Sequence, residues 1–365
     1  MSESLSYDQV SCVAKYFDGI SRSQIPVSIK LGNHTFRLPV VPANMKCVID
    51  ENIAEQLATE NYFYILHRFY PYDFVKKWVA HMNEKQLVTS ISLGVSKDDL
   101  EFIDWYTNSG LVIDFITIDI AHGHCRLMKE MLKTISSIPN KPFVIAGNVM
   151  TPEAVKDLKC WGADCVKIGV GPGAACLTKL KTGFHSPMFS TVKNCCTWGL
   201  TPRESESESL ITDFMDDYRN LSHPDRLKML TANEYIEHRI KDWKNVPIIA
   251  DGGVRYNGDI FKALVAGATM VMAGSIFSAC IDSPAANVRD SKGNIIKKQY
   301  YGSASEYHKG HMKNVEGTLV NLKCNGLTYR EKLGEITEDL QSSISYSGTS
   351  GLDNITSTEY TLFNE

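Results

Sequence analysis

The stretch with the most chemical potential is "KIGVGPGAACLTKLKTG", residues 167 to 183, where Cys176 sits in a glycine-rich turn that follows an apolar run. Gly169, Gly171 and Gly173 can take positive φ angles and bring the backbone close to a ligand. Such a turn suits an anion cradled by amides or a bare monovalent cation held by carbonyls. A lone cysteine is ordinarily a small buried apolar residue, but a thiol in the mouth of a polar pocket is accessible and can be poised as a thiolate. Two more stretches carry similar chemistry. In "ADGGVRYNGD" and "MAGSIF", Gly252, Gly253 and Gly274 permit close backbone approach and Ser275 offers a hydroxyl to phosphate oxygens. Asp251 supplies an acceptor for ribose hydroxyls. A phosphorylated ligand with a ribose fits these groups together.

The elements that must position these groups are legible as a rhythm. Eight short apolar runs rich in β-branched residues recur after helix-length segments, beginning at Leu38, Tyr62, Leu87, Phe115, Phe143, Cys165, Pro247 and Met270. Near-continuous apolar strands alternating with stretches such as "TPEAVKDLKCWGA" and "NGDIFKALVAGA" imply a parallel sheet covered by helices. Eight units predict an α/β fold of the closed (β/α)8 TIM-barrel type. Polar and glycine residues gather at the carboxyl ends of the runs, namely Asn44, His67, Asp119, His122, Asn148, Gly171, Asp251, Gly253 and Gly274. That is the end of a barrel where a site is built, although any one of them would also serve as a turn-former.

One barrel domain spanning residues 1 to 365 is the expectation, with an atypical acidic and helical insertion at 186 to 245, between the sixth and seventh runs. There "TPRESESESLITDFMDDY" reads as an acidic loop and "RLKMLTANEYIEHRIKDW" has helical spacing. After the eighth run, "KGNIIKKQYYGSASEYHKGHMKNVEGT" reads as a long polar loop of the lid or binding kind, before "YREKLGEITEDLQSSISYSG" resumes helical spacing. His122 and His124 form an HxH pair with no third ligand at a useful spacing for a metal.

Composition narrows the partners. The 365-residue chain has a formal net charge of −4 and no dense Lys/Arg block, so neither nucleic acid nor a membrane surface is the expected partner. The opening "MSESLSYDQV" lacks a secretion-signal pattern, and no apolar run approaches the ~18 residues of a membrane span. With ten scattered cysteines and no CxxC pair, reduced thiols in a cytoplasmic protein are expected.

Taken together, "GPGAACLTKLKTG", "PIIADGGVRYNGDIFKALVAGATMVMAGSIF", "YYGSASEYHKG" and "NVEGT" resemble the IMP dehydrogenase and GMP reductase family, its bacterial-type GMP reductase branch most of all. "LPVVPANM", "ENYFYILHRF", "FITIDIAHGH", "FVIAGNV" and "DLQSSISYSG" extend the resemblance over nearly the whole chain, outside about His185 to Val246. The resemblance implies reductive deamination of GMP to IMP by NADPH with release of ammonia. Cys176 would attack purine C2 to form a thioimidate, and Thr178 and Glu316 would relay the proton that the leaving amine needs. Asp251 would bind the ribose, with Gly252, Gly253, Gly274, Ser275, Gly302 and Ser303 around the phosphate. Arg68, Asp119 and Ala121 would face the cofactor, Arg22 would reach the cofactor of an adjacent subunit in a homotetramer, and Gly171 and Gly173 would offer carbonyls to potassium.

Two other functions stay open at this level. IMP dehydrogenase chemistry shares the thioimidate but hydrolyses it, using an Arg-Tyr pair on a long flap; the segment from Glu306 to Glu316 is short and has no such pair. A catalytically silent purine-nucleotide-binding regulator would account for the unusual segment at 186 to 245, but it would have no need of Cys176, Thr178 and Glu316.

Overall fold

Seven of the eight apolar runs become strands of one all-parallel sheet in the computed structural model, which describes residues 4–19, 21–197, 246–310 and 315–363. In chain order the strands begin with β1 (Val10–Cys12), β2 (Ile29–Leu31) and β3 (His34–Phe36), which lie outside that sheet. Its members are β4 (Val40–Pro42), β5 (Ser90–Leu93), β6 (Phe115–Asp119), β7 (Phe143–Val149), β8 (Cys165–Ile168), β9 (Ile248–Asp251) and β10 (Met270–Ala273). They are ordered β4-β10-β9-β8-β7-β6-β5. Strands such as β5, β8 and β10 are buried at every position, so both faces are covered. That is why these runs read as continuously apolar rather than alternating.

The sheet curls. Asn44, just past β4, donates from Nδ2 to Oδ2 of Asp119 at the end of β6, at 3.2 Å. In a flat sheet those strands would stand roughly 24 Å apart at the usual spacing of about 4.8 Å. The second apolar run fills the gap between β4 and β5 differently from expectation. It makes one parallel bridge, Leu66 with Ile91, in place of a strand. Extension stops at His67, whose Nδ1 accepts the Phe69 N–H at 3.2 Å and turns the chain.

Helices between the strands carry the capping chemistry their sequences promise. Thr151 caps Pro152–Trp161 by accepting the Ala154 N–H, Pro152 opens the helix, and Gly162 closes it in the left-handed conformation. The long helix Tyr329–Tyr346 begins with a capping box of Thr328 and Glu331. A cluster of Phe36, Phe63, Phe115 and Phe143 packs with ring centroids 5.0 to 5.9 Å apart. It includes the first residues of β6 and β7, so the carboxyl ends of those strands are left for chemistry.

The segment after the eighth run is not the long loop expected from its polarity. It folds into an antiparallel sheet of β11 (Ala286–Arg289), β12 (Ile295–Tyr301) and β13 (Leu319–Lys323). The strands are half-exposed, so lysines face out between residues that face in. Lys298 is an exception, buried with its ammonium on Ser283 O at 3.0 Å and Asn287 Oδ1 at 2.7 Å. β14 (Tyr360–Leu362) returns to pair with β1. Within the expected insertion, Met188–Thr197 is a helix that buries Met188, Phe189, Val192 and Cys195. The acidic stretch and the second helical stretch lie in 198–245, outside the described residues. Among the described residues no helix is long and apolar enough to cross a membrane.

Candidate active site

Above the carboxyl ends of β6 to β10 lies a cleft whose lining includes Cys176, Thr178 and Glu316. The glycine turn that carries Cys176 leaves β8 through Gly169, at φ +145°. A side chain there would put its Cβ 2.1 Å from the Asp251 carbonyl oxygen, so only glycine lets the two strand ends approach this closely. The Cys176 N–H closes the turn on Gly173 O at 2.9 Å.

Three chain segments then zip together. Cys176 pairs with Gly317 as an antiparallel bridge, and Gly317 pairs with Ser305 as a parallel one. Around those bridges the Leu177 N–H donates to Glu316 O at 2.7 Å, and the Glu316 N–H donates to Ala304 O at 3.0 Å. With its backbone held on both sides, the Glu316 carboxylate accepts from Thr178 Oγ1 at 2.7 Å. Thr178 Oγ1 in turn accepts from the Cys176 thiol at 3.2 Å. The result is a continuous hydrogen-bonded path from thiol to hydroxyl to carboxylate, in which Cys176 and Thr178 are near neighbours and Glu316 comes from 138 positions further along the chain. Thr178 also opens the short helix Thr178–Thr182, but its side chain is committed to the path and not to a cap.

Beneath the cleft is a second polar group. Lys167 of β8 is 2 % exposed and forms ion pairs with Asp119 Oδ1 at 2.8 Å and Asp251 Oδ2 at 2.7 Å. It also donates to Asn148 Oδ1. Asn148 Nδ2 donates to Asp251 Oδ2 at 2.8 Å and to Gly169 O at 2.7 Å. Burial pushes the Asp119 carboxyl up, but the ammonium of Lys167 outweighs it and holds Asp119 below the usual carboxylate range. Burial disfavours the charged form of Lys167, and the two carboxylates reverse that and stabilise the ammonium.

Of the residues expected from sequence, Gly252, Gly253, Gly274, Ser275, Gly302 and Ser303 line the same cleft, as do Arg68, Asp119, Ala121, Gly171, Gly173 and Asp251. At its mouth the Arg68 guanidinium lies over the Phe69 ring, 5.1 Å from the centroid. Arg22 is the exception: it is exposed in the turn Arg22–Gln24 and does not line the cleft. His124 pairs with Asp157 at 2.7 Å on the neighbouring helix, and no group of three metal-ligating side chains occurs among the described residues. Sequence reasoning missed Lys167 and Tyr300, both of which line the cleft. For Lys167 the signal was present as a single charge inside the apolar run "CVKIGVG".

The arrangement offers a nucleophile wired to a proton acceptor, glycine-rich backbone for a phosphate, and a carboxylate for a sugar diol. Comparison with known proteins points the same way. A family model described as the IMP dehydrogenase / GMP reductase domain matches residues 4–206 and 229–362. The chain is 42% identical over 362 residues to a protein named GMP reductase from Mesoplasma florum, covering 98% of this chain and 97% of that protein. It is 42% identical over 347 residues to a GMP reductase from Lactococcus lactis subsp. cremoris, covering 94% and 90%. A GMP reductase from Oceanobacillus iheyensis is 40% identical over 362 residues, covering 99% and 96%.

Proposed function

The chain belongs to the IMP dehydrogenase / GMP reductase family, an oxidoreductase that converts GMP to IMP by reductive deamination, and we propose that Cys176, Thr178 and Glu316 carry that reaction. The observation that carries the proposal is the unbroken path from the Cys176 thiol through Thr178 Oγ1 to Glu316 Oε2. Along it the thiol proton passes to the Glu316 carboxylate as the sulfur attacks purine C2. The same proton returns through Thr178 to the 2-amino group, which leaves as ammonia while the C2–S bond remains. Thiol plus amine thus becomes thioimidate plus ammonia with no proton gained or lost.

When bound, NADPH would supply the hydride that replaces sulfur at C2, and Cys176 would then leave as the thiolate. The residues present suit such a dinucleotide: Arg68 offers a cation to its phosphates and Phe69 a flat apolar neighbour at the cleft mouth. Asp119 and Ala121 line the same side. Asp251 takes the nucleotide ribose, with Gly252, Gly253, Gly274, Ser275, Gly302 and Ser303 around its phosphate. Gly171 and Gly173 would hold potassium through carbonyls, which would stiffen the nucleophile's turn without entering the chemistry. The exposed position of Arg22 suits a contact with a cofactor bound by a neighbouring subunit of a homotetramer. The Leu66 bridge supports closure of the curled sheet into an eight-unit barrel, and cytoplasmic residence fits the reduced cysteines.

Absorbance at 340 nm with purified protein, NADPH and GMP tests the reading. NADPH loss that requires GMP, releases ammonia and vanishes in Cys176→Ala is the expected result. NADH formation from IMP and NAD⁺ would move the chain to dehydrogenase chemistry instead, and GMP binding without turnover would move it to a regulator.

A further inference from the structure

Lys167 is a buried charge at the cleft that the reaction as described leaves unused. An ammonium has three protons to donate. Here they meet Asp119 Oδ1, Asp251 Oδ2 and Asn148 Oδ1, so none is left for a ligand. Asp251 Oδ2 is likewise filled by Lys167 and Asn148, whereas its Oδ1 accepts nothing among the described residues. Asp119 is pinned at both oxygens, by Lys167 and by Asn44.

We infer that Lys167 is a positioning residue shared by the nucleotide and cofactor sides of the cleft, fixing the orientation of Asp251 and Asp119 together and balancing their charge. The inference rests on the assignment of Asp251 to the nucleotide ribose. One ammonium between two carboxylates leaves the cluster with a single net negative charge. Without it, two carboxylates would face each other in a site walled by β6, β8 and β9, and both would turn from the geometry that accepts a ribose hydroxyl. The charged and titratable groups near enough to act on the cluster are Asp119 and Asp251 themselves, Arg68 beyond Asp119, and Tyr7 and Tyr300 beyond Asp251.

The test is the affinity for IMP, which needs no cofactor, measured by calorimetry on the full chain from pH 6 to 9. Lys167→Met should weaken IMP at least tenfold at pH 8 and recover part of the loss as pH falls, because protonating one carboxyl relieves the repulsion. Lys167→Met with Asp119→Asn restores one net negative charge and should bring IMP affinity to within about threefold of wild type, with no pH slope. A purely space-filling lysine would give neither rescue nor slope. Should the single variant fail to fold, the double variant decides alone: tight, pH-independent IMP binding supports the inference, and a loss of tenfold or more overturns it. Asp251→Asn separates the two layers. If it leaves IMP affinity unchanged, the ribose assignment falls and the inference with it. If it weakens IMP while Lys167→Met stays within twofold of wild type, the inference alone is overturned.

Discussion

Thr178 Oγ1 and Glu316 Oε2 lie 2.7 Å apart although 138 residues separate them in the chain. Neither is held there by its own helix or loop alone. Leu177 and Glu316 are joined through the backbone at 2.7 Å, so the hydroxyl and the carboxylate are presented to each other by the same pairing that fixes Cys176.

From that contact follows the behaviour of Glu316→Gln. The amide keeps the shape and can still hydrogen bond to Thr178, but it cannot hold the travelling proton. Turnover should fall by ~10² to 10⁴-fold, the usual worth of a general acid–base group. KM for GMP should change little, which steady-state kinetics would show.

Thr178→Val interrupts the same path one atom earlier. Because the two side chains act as a unit, the double variant with Glu316→Gln should be no more than about threefold slower than the worse single variant. Fully additive losses in a double-mutant cycle would mean that the two groups act separately.

Arg68 touches the reaction only through the cofactor in the mechanism above. Arg68→Gln should raise KM for NADPH by about ten- to a hundredfold, the worth of one charge-assisted hydrogen bond, with kcat at saturation preserved. Quenching of intrinsic fluorescence by NADPH would report the same loss of affinity without turnover.

His67 is 4 % exposed, and burial lowers its pKa to about 4. In the unfolded chain the imidazole takes a proton near its ordinary value of about 6.5, so between those values the unfolded state binds more protons. Its contribution to stability is complete above about pH 6.5, is lost as pH falls toward 4, and declines no further below that. His67→Gln, whose carbonyl oxygen can still accept the Phe69 N–H, should remove about 2 kcal/mol of the difference in stability between pH 7 and pH 5. Urea midpoints of the two proteins at the two pH values would measure it.

Gly169→Ala should cost at least about 2 kcal/mol, from a side chain forced to a positive φ and a Cβ driven against Asp251 O. The melting temperature should drop, and IMP affinity with it, since the displaced carbonyl belongs to Asp251, the aspartate proposed to take the ribose.

The sequence made the strand–helix rhythm legible because buried parallel strands are apolar on both faces, and β4 to β10 fall within the runs so identified. The second run makes only the Leu66–Ile91 bridge before the chain turns at His67, through a local side-chain contact that composition does not carry. The small sheet β11–β13 was hidden by its exposure: half-solvated strands with outward lysines have the polarity of a loop. Many residues that line the cleft were legible where glycine or polarity punctuated a strand end. Lys167 was not, because its meaning lies in partners on other strands, Asp251 at 84 positions' distance and Asn148 at 19. Arg22 fell outside the cleft, and its expected role depends on a neighbouring subunit.

The curl that brings Asn44 to Asp119 also sets an order in time. Contacts spanning 75, 84, 103 and 138 positions must all close before the cleft exists, and each requires chain loops that form slowly compared with a helix turn. No fragment ending before β9 holds both Cys176 and Asp251, the proposed nucleophile and ribose anchor. During refolding, helical circular dichroism should therefore return well ahead of nucleotide binding, and binding no later than turnover, so that competence marks the last step of assembly.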